Sequence, residues 1–231
     1  MRSQKVYDFP TRVFHALFAA TILVGLTIAK TVDDESLVFS YHMLLGMTAS
    51  FLVLFRVAWG FWGSTHARFS GLALQPAGVL QYFREILQNR KSQWVGHNPA
   101  TSWMTLLMIL LVLGLGTTGF LMTSGQETEI IEEIHEIFAN VFLALIVFHL
   151  LGVILHQVRY QDGLVMSMID GKKSNIPADK TIKSESKPIG WALLSATVLW
   201  LLLLVNSFDT SSRRLTLGGL ELQLGEVEEE H

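Results

Sequence analysis

Four histidines, His15, His42, His135 and His149, lie inside apolar segments long enough to cross a bilayer. Ionisable side chains are costly in hydrocarbon and serve a function where they occur there. Neutral imidazole ligates metals, and haem iron in particular, so these residues could hold metal-centred cofactors within a membrane. His135 and His149 share one apolar segment and are fourteen residues apart. In a helix that spacing is about 21 Å of rise and a return to within about 40° of the same face. One helical face could therefore hold two haems, one above the other, with partners from facing helices. Zinc fits less well, because the pairs stand too far apart for one four-coordinate site and no carboxylate accompanies them.

Other residues qualify this constellation. His156 follows His149 by seven residues on nearly the same face, and is an alternative ligand opposite His15. His66 and His97 fall in a polar loop and His231 ends the chain, which makes them poor axial ligands. Gly46, one turn after His42, and Gly152, three residues after His149, could make room for a planar cofactor or a close helix. Arg56 is the one strongly cationic residue well inside an apolar span. It either snorkels to lipid phosphate or pairs with a haem propionate.

The elements that must position these residues are membrane helices. Half of the 231 residues are hydrophobic and only 16% are charged, a membrane composition. About 20 mostly apolar residues are needed to span a bilayer core, and five stretches qualify, at 11–30, 38–62, 101–124, 133–156 and 189–208. The first is too long for a signal h-region and lacks a small-x-small cleavage pattern, so a retained helix is expected. Cysteine is absent, which excludes thiolate-held clusters, c-type haem attachment, disulfides and cysteine catalysis.

Cationic residues set the expected orientation. The N-terminal arm, the 62–100 loop and the 157–188 loop hold 13 Lys and Arg, against Lys30, Arg213 and Arg214 on the opposite side. By the positive-inside rule the N-terminus is cytoplasmic and the C-terminus lies across the membrane. Trp59, Trp62, Trp103 and Trp191 all fall at the expected cytoplasmic helix ends, where interfacial tryptophans belong. The far face collects Asp33, Asp34, Glu35, Glu127, Glu129, Glu132, Glu133 and Glu136, a negative field suited to orienting a cationic partner. With this orientation His15 and His149 pair toward the cytoplasm, and His42 and His135 toward the far side.

The segments YDFPTRVFHALF, YHMLLGMTASFLVLFRVAWGFWGSTHARF, HNPATSWM and IHEIFANVFLALIVFHLLGVILHQ, followed by DGLVMSMIDGKK, resemble the prokaryotic cytochrome b561 superfamily. That superfamily includes the cytochrome b subunit of membrane-bound nickel-iron hydrogenases. The resemblance implies an all-α membrane protein of the bacterial inner membrane, with a four-helix di-haem transmembrane bundle over residues 1–173. It also implies two haem b groups, a quinone as a further ligand, and axial roles for His15 with His149 and His42 with His135. Arg56, His66 and Arg68 match a stretch near the cytoplasmic-side haem and quinone region.

The C-terminal part departs from that pattern. A polar linker at 174–187 leads to a fifth transmembrane helix at 188–208 and a periplasmic acidic tail at 209–231. Alternation around Leu220, Leu222 and Leu224 suits an edge strand that could dock on a partner, or the tail could be disordered. The expected function is electron transfer between the quinone pool and a periplasmic redox protein, whether hydrogenase-like, a molybdoenzyme or a cytochrome c, by a subunit of a larger oxidoreductase rather than a stand-alone enzyme. A self-contained superoxide-to-quinone or small-molecule oxidoreductase is the alternative, and a non-redox transporter or assembly protein is a third. No phosphate loop, H-E-x-x-H, catalytic triad or nucleic-acid motif is present.

Overall fold

A computed structural model describes residues 3–90, 96–174 and 176–225. Arg2, Lys91, His231 and the glutamates of 226–231, which entered the charge and tail readings, lie outside the described residues. Among the described residues five helices are long and apolar enough to cross a membrane: α1 (Phe9–Thr31), α2 (Leu37–Trp62), α4 (Pro99–Thr123), α5 (Glu129–Tyr160) and α7 (Lys187–Ser207). Two shorter helices, α3 (Pro76–Leu87) and α6 (Leu164–Asp170), lie in the connections.

Local chemistry sets the helix starts. Asp8 caps α1 by accepting from the Thr11 amide at 2.8 Å, and Asn98 caps α4 by accepting from Thr101 at 2.9 Å. Pro10 and Pro99 sit in the first turn, where a missing N–H costs nothing. Thr128 caps α5, with Glu129 and Glu132 in its first turn facing the helix dipole favourably. At 32 residues α5 is about 48 Å long, so both ends project beyond a hydrocarbon core of about 30 Å.

The helices α1, α2, α4 and α5 form the bundle, each packed along the next in that order. α5 lies tightly along α4, but its backbone makes no comparably close run against α1 or α2. α7 packs outside the bundle on α1 and α2. Inside, apolar packing concentrates at mid-depth, where Ala49, Val53, Ile109, Val112 and Phe142 are buried together. Leu80, Phe83 and Leu87 are exposed along α3, the pattern of a helix lying in a membrane interface.

The face holding the N-terminus, here the near face, is closed by a short antiparallel pair of β1 (Gln4–Lys5) and β2 (Lys172–Lys173). Beneath it the fully buried Lys173 ammonium lies 2.9 Å from the Asp162 carboxylate. Trp62 and Trp191 are exposed near this face, whereas Trp59 is buried and donates its indole N–H to Asp8 at 3.0 Å. Trp59 is thus a packing residue and not an interfacial anchor.

On the opposite, far face the C-terminal segment is described as far as Gly225. β3 (Phe208–Asp209), β4 (Arg214–Leu217) and β5 (Leu220–Gln223) form an antiparallel sheet in that order. Gly218 and Gly219 turn the hairpin with φ of +55° and +89°, as a two-residue hairpin turn with positive φ at both positions requires. Leu215, Leu222 and Leu224 are buried against Leu44, Leu204 and Phe208. The alternating tail therefore does form strands, and their apolar side is spent on the chain's own helices.

Candidate functional site

The bundle brings the four intramembrane histidines together as two pairs. His15 on α1 and His149 on α5 face one another with ring centres 6.5 Å apart and planes tilted by 51°. Two imidazoles binding one metal ion from opposite sides, each at a metal–nitrogen distance of about 2 Å, place their ring centres roughly 6 Å apart. The observed separation fits that geometry. Among the described residues neither ring has a hydrogen-bond partner, although Phe14 and Phe18 stack one turn apart beside His15, at 5.3 Å.

At the far side His42 on α2 and His135 on α5 lie within electrostatic reach of each other. Both rings are anchored through Nδ1. His42 Nδ1 is 2.9 Å from the Gly25 carbonyl, which can only accept, so the proton belongs to Nδ1. His135 Nδ1 is 2.7 Å from the Thr118 hydroxyl, whose own proton goes to the Gly114 carbonyl at 3.0 Å. Thr118 then accepts from the Nδ1–H. In both residues Nε2 is left as the free lone pair, the arrangement seen where a second partner orients a metal-ligating imidazole.

Space beside the histidines is consistent with a planar cofactor. A methyl group built on Gly46 or on Gly152 would meet nothing within 4 Å. α5, apart from Phe142, contributes no buried residue, although its histidine face turns toward α1 and α2. Among the described residues no three His, Asp or Glu side chains converge on one point, so the histidines offer two-ligand sites.

Arg56 projects into the near half of the bundle. It is 5% exposed, its Nη1 has no hydrogen-bond partner, and its guanidinium lies 5.4 Å over the Phe69 ring. Asp8 is nearby but already accepts from Thr11 and Trp59, and it makes no ion pair with Arg56. A buried guanidinium with a free donor calls for an anionic acceptor. The residue is thus turned inward and does not snorkel. His97 also faces this region. Burial, reinforced by the Arg56 and His66 charges, draws its pKa down to about 4, so it is neutral at pH 7. His66 Nε2 donates to the Lys180 carbonyl at 2.7 Å.

His156 lies apart from the pairs. Its Nε2 is 3.1 Å from Asp162 and its ring stacks on Tyr160 at 4.6 Å. Burial alone would raise the Asp162 pKa, but hydrogen bonds and charge from His156 and Lys173 prevail and hold it at about 2. Thr118, the Gly25 carbonyl and Asp8 are contributors that the sequence reading missed. Nothing in the apolar pattern separates Thr118 from its neighbour Thr117; only the depth of His135 on the facing helix singles it out.

The model of the prokaryotic cytochrome b561 family matches residues 6–171, from the first turn before α1 to the end of α6. The chain belongs to the prokaryotic cytochrome b561 family. A curated relative, the probable Ni/Fe-hydrogenase B-type cytochrome subunit of Rhizobium leguminosarum bv. viciae, is 22% identical over 215 residues, covering 74% of this chain and 89% of that protein. No solved structure matches. This cytochrome b561 is a multi-pass membrane protein of electron transfer, and its family's prosthetic group is haem b. α7 and the far-face hairpin lie outside the family match.

Proposed function

We propose that this cytochrome b561 holds two haem b groups, one in each half of the bundle, and carries electrons between the quinone pool and a redox protein on the far face. His15 and His149 are the axial ligands of the near-side haem, and His42 and His135 those of the far-side haem. The observation that carries the reading is the 6.5 Å separation of the His15 and His149 rings. His156 is committed to Asp162 and leaves the near-side role to His149.

Bound haem supplies one-electron redox chemistry. The residues do the rest. The four imidazoles would hold the haem irons, Gly25 and Thr118 fix the ring orientation on the far side, and Arg56 would neutralise a propionate on the near side. The excess of Lys and Arg on the near-side loops supports a cytoplasmic N-terminus and a periplasmic far face in the bacterial inner membrane. The acidic far face suits a partner that presents basic residues around its redox centre.

Haem content decides the matter. The purified chain is expected to contain two haems by pyridine haemochrome assay, and each of H15A, H149A, H42A and H135A to contain one. H156A retains both. Unchanged haem content in all four variants would overturn the ligand assignment.

A further inference from the structure

The one place where α5 is buried lies midway between its histidines. Phe142 is seven residues from His135 and seven from His149, and is 2% exposed. Seven helical residues are about 10.5 Å and two turns less about 20°, so Phe142 points from the same face as both ligands, at the level between them. α2 repeats this spacing, because Ala49 is seven residues from His42 and seven from Arg56. The two helices both run from far to near face, and Ala49 and Phe142 share the same buried cluster. A small residue on one helix admits a large one from the other. From α1, Phe18 meets Phe142 with ring centres 6.5 Å apart at 77°, an edge-to-face contact. Phe18 is three residues from His15.

We propose that Phe142, with Phe18 against it, is a positioning septum. It divides the bundle interior into two cofactor chambers and provides the aromatic contact through which a single electron passes between them. The inference rests on the two-haem reading above. The step itself moves one electron from the reduced centre to the oxidised one, with no proton and no bond change in the protein. Electron exchange through protein weakens steeply with the gap between cofactors and more steeply across a void. The septum therefore matters through what fills the space, and Phe142 is the largest side chain in the buried mid-depth layer.

The test uses the full-length, haem-loaded protein in detergent, with haem content measured first and electron redistribution between the centres followed after pulse-radiolytic injection. Phe142→Leu nearly keeps the volume and removes the ring, and it is expected to retain two haems while redistribution slows several-fold. Phe142→Ala also opens a cavity and slows it further. Should F142L lose a haem, Phe18→Leu probes the same contact from α1, and slowed redistribution there supports the proposal. Unchanged redistribution in F142L with two haems bound, or in F18L if F142L loses haem, overturns it. A parent protein with one haem or none overturns the two-site reading, and the septum with it.

Discussion

The two histidine pairs differ in who holds the rings. On the far side each imidazole is pinned through Nδ1, by the Gly25 carbonyl and by Thr118. On the near side His15 and His149 lack such partners, and an orphaned guanidinium, Arg56, stands in the same half of the bundle. On the proposed two-haem reading, the far site would be preorganised by neutral hydrogen bonds, whereas the near site would depend on the ligand's own charge to complete its polar contacts. One protein would then use two ways of fixing a similar group, and they are expected to fail under different substitutions.

The largest effect is expected at the charged near-side floor. Lys173 is buried, and Asp162 is its counter-charge. Asp162→Asn leaves that ammonium unpaired, with an expected loss of about 3 kcal/mol in stability, measurable by chemical denaturation in detergent. The sign with pH follows from the depressed carboxyl. Folded Asp162 ionises at about 2, below its ordinary value of 3.8. Its contribution is fully present above pH 4 and fades as pH falls toward 2, a component the Asn variant lacks. If D162N and the parent lose stability in parallel over that range, Asp162 is not the near-side anchor.

Thr118→Val separates the two sites more sharply. The substitution removes the acceptor for His135 Nδ1–H while keeping the shape. Loss of an orienting partner typically costs about 10–100-fold in metal affinity. Haem dissociation from the far site is expected to accelerate by that order, and the near site to be untouched. Arg56→Gln should do the reverse, weakening near-side retention by roughly tenfold through loss of a charge-assisted hydrogen bond worth about 1.5 kcal/mol. A shift of both haems by either variant would dissolve the distinction between the sites.

These contrasts also mark how far the sequence carried. The five spans were legible because length and apolarity alone decide bilayer crossing, and the observed helices overlap every expected stretch. The fourteen-residue spacing on α5 put His135 and His149 at opposite depths of one face, and the nearness of His15 to His149 agrees with that reading. Less visible was anything fixed by what a residue faces. Trp59 has the composition of an interfacial anchor but turns inward to Asp8. The 62–100 loop conceals α3, whose apolar stripe is too short to register as a span. The tail's alternation indicated strands, but alternation carries no information about which surface receives the apolar side. Phe142 looks like any other phenylalanine of an apolar helix until both histidines are placed.

The hairpin supplies the smallest and most local of the expected effects. Ser40, two residues before His42 and fully buried, donates to the Leu224 carbonyl at 2.5 Å, and Arg213 donates to the Glu35 carbonyl at the start of α2. These bonds fasten the first turn of α2 to a segment outside the family match, close to His42 and remote from His15 and His149. Ser40→Ala removes one hydrogen bond and leaves a buried carbonyl unpaired, an expected cost of about 1 kcal/mol. Because α2 is held elsewhere by α1, α4 and α7, the helix persists and only its far end loosens. Far-side haem should then dissociate a few-fold faster, with His15 and His149 holding theirs as before. Equal release from the two sites would mean that the hairpin steadies the whole bundle and not the first turn of α2.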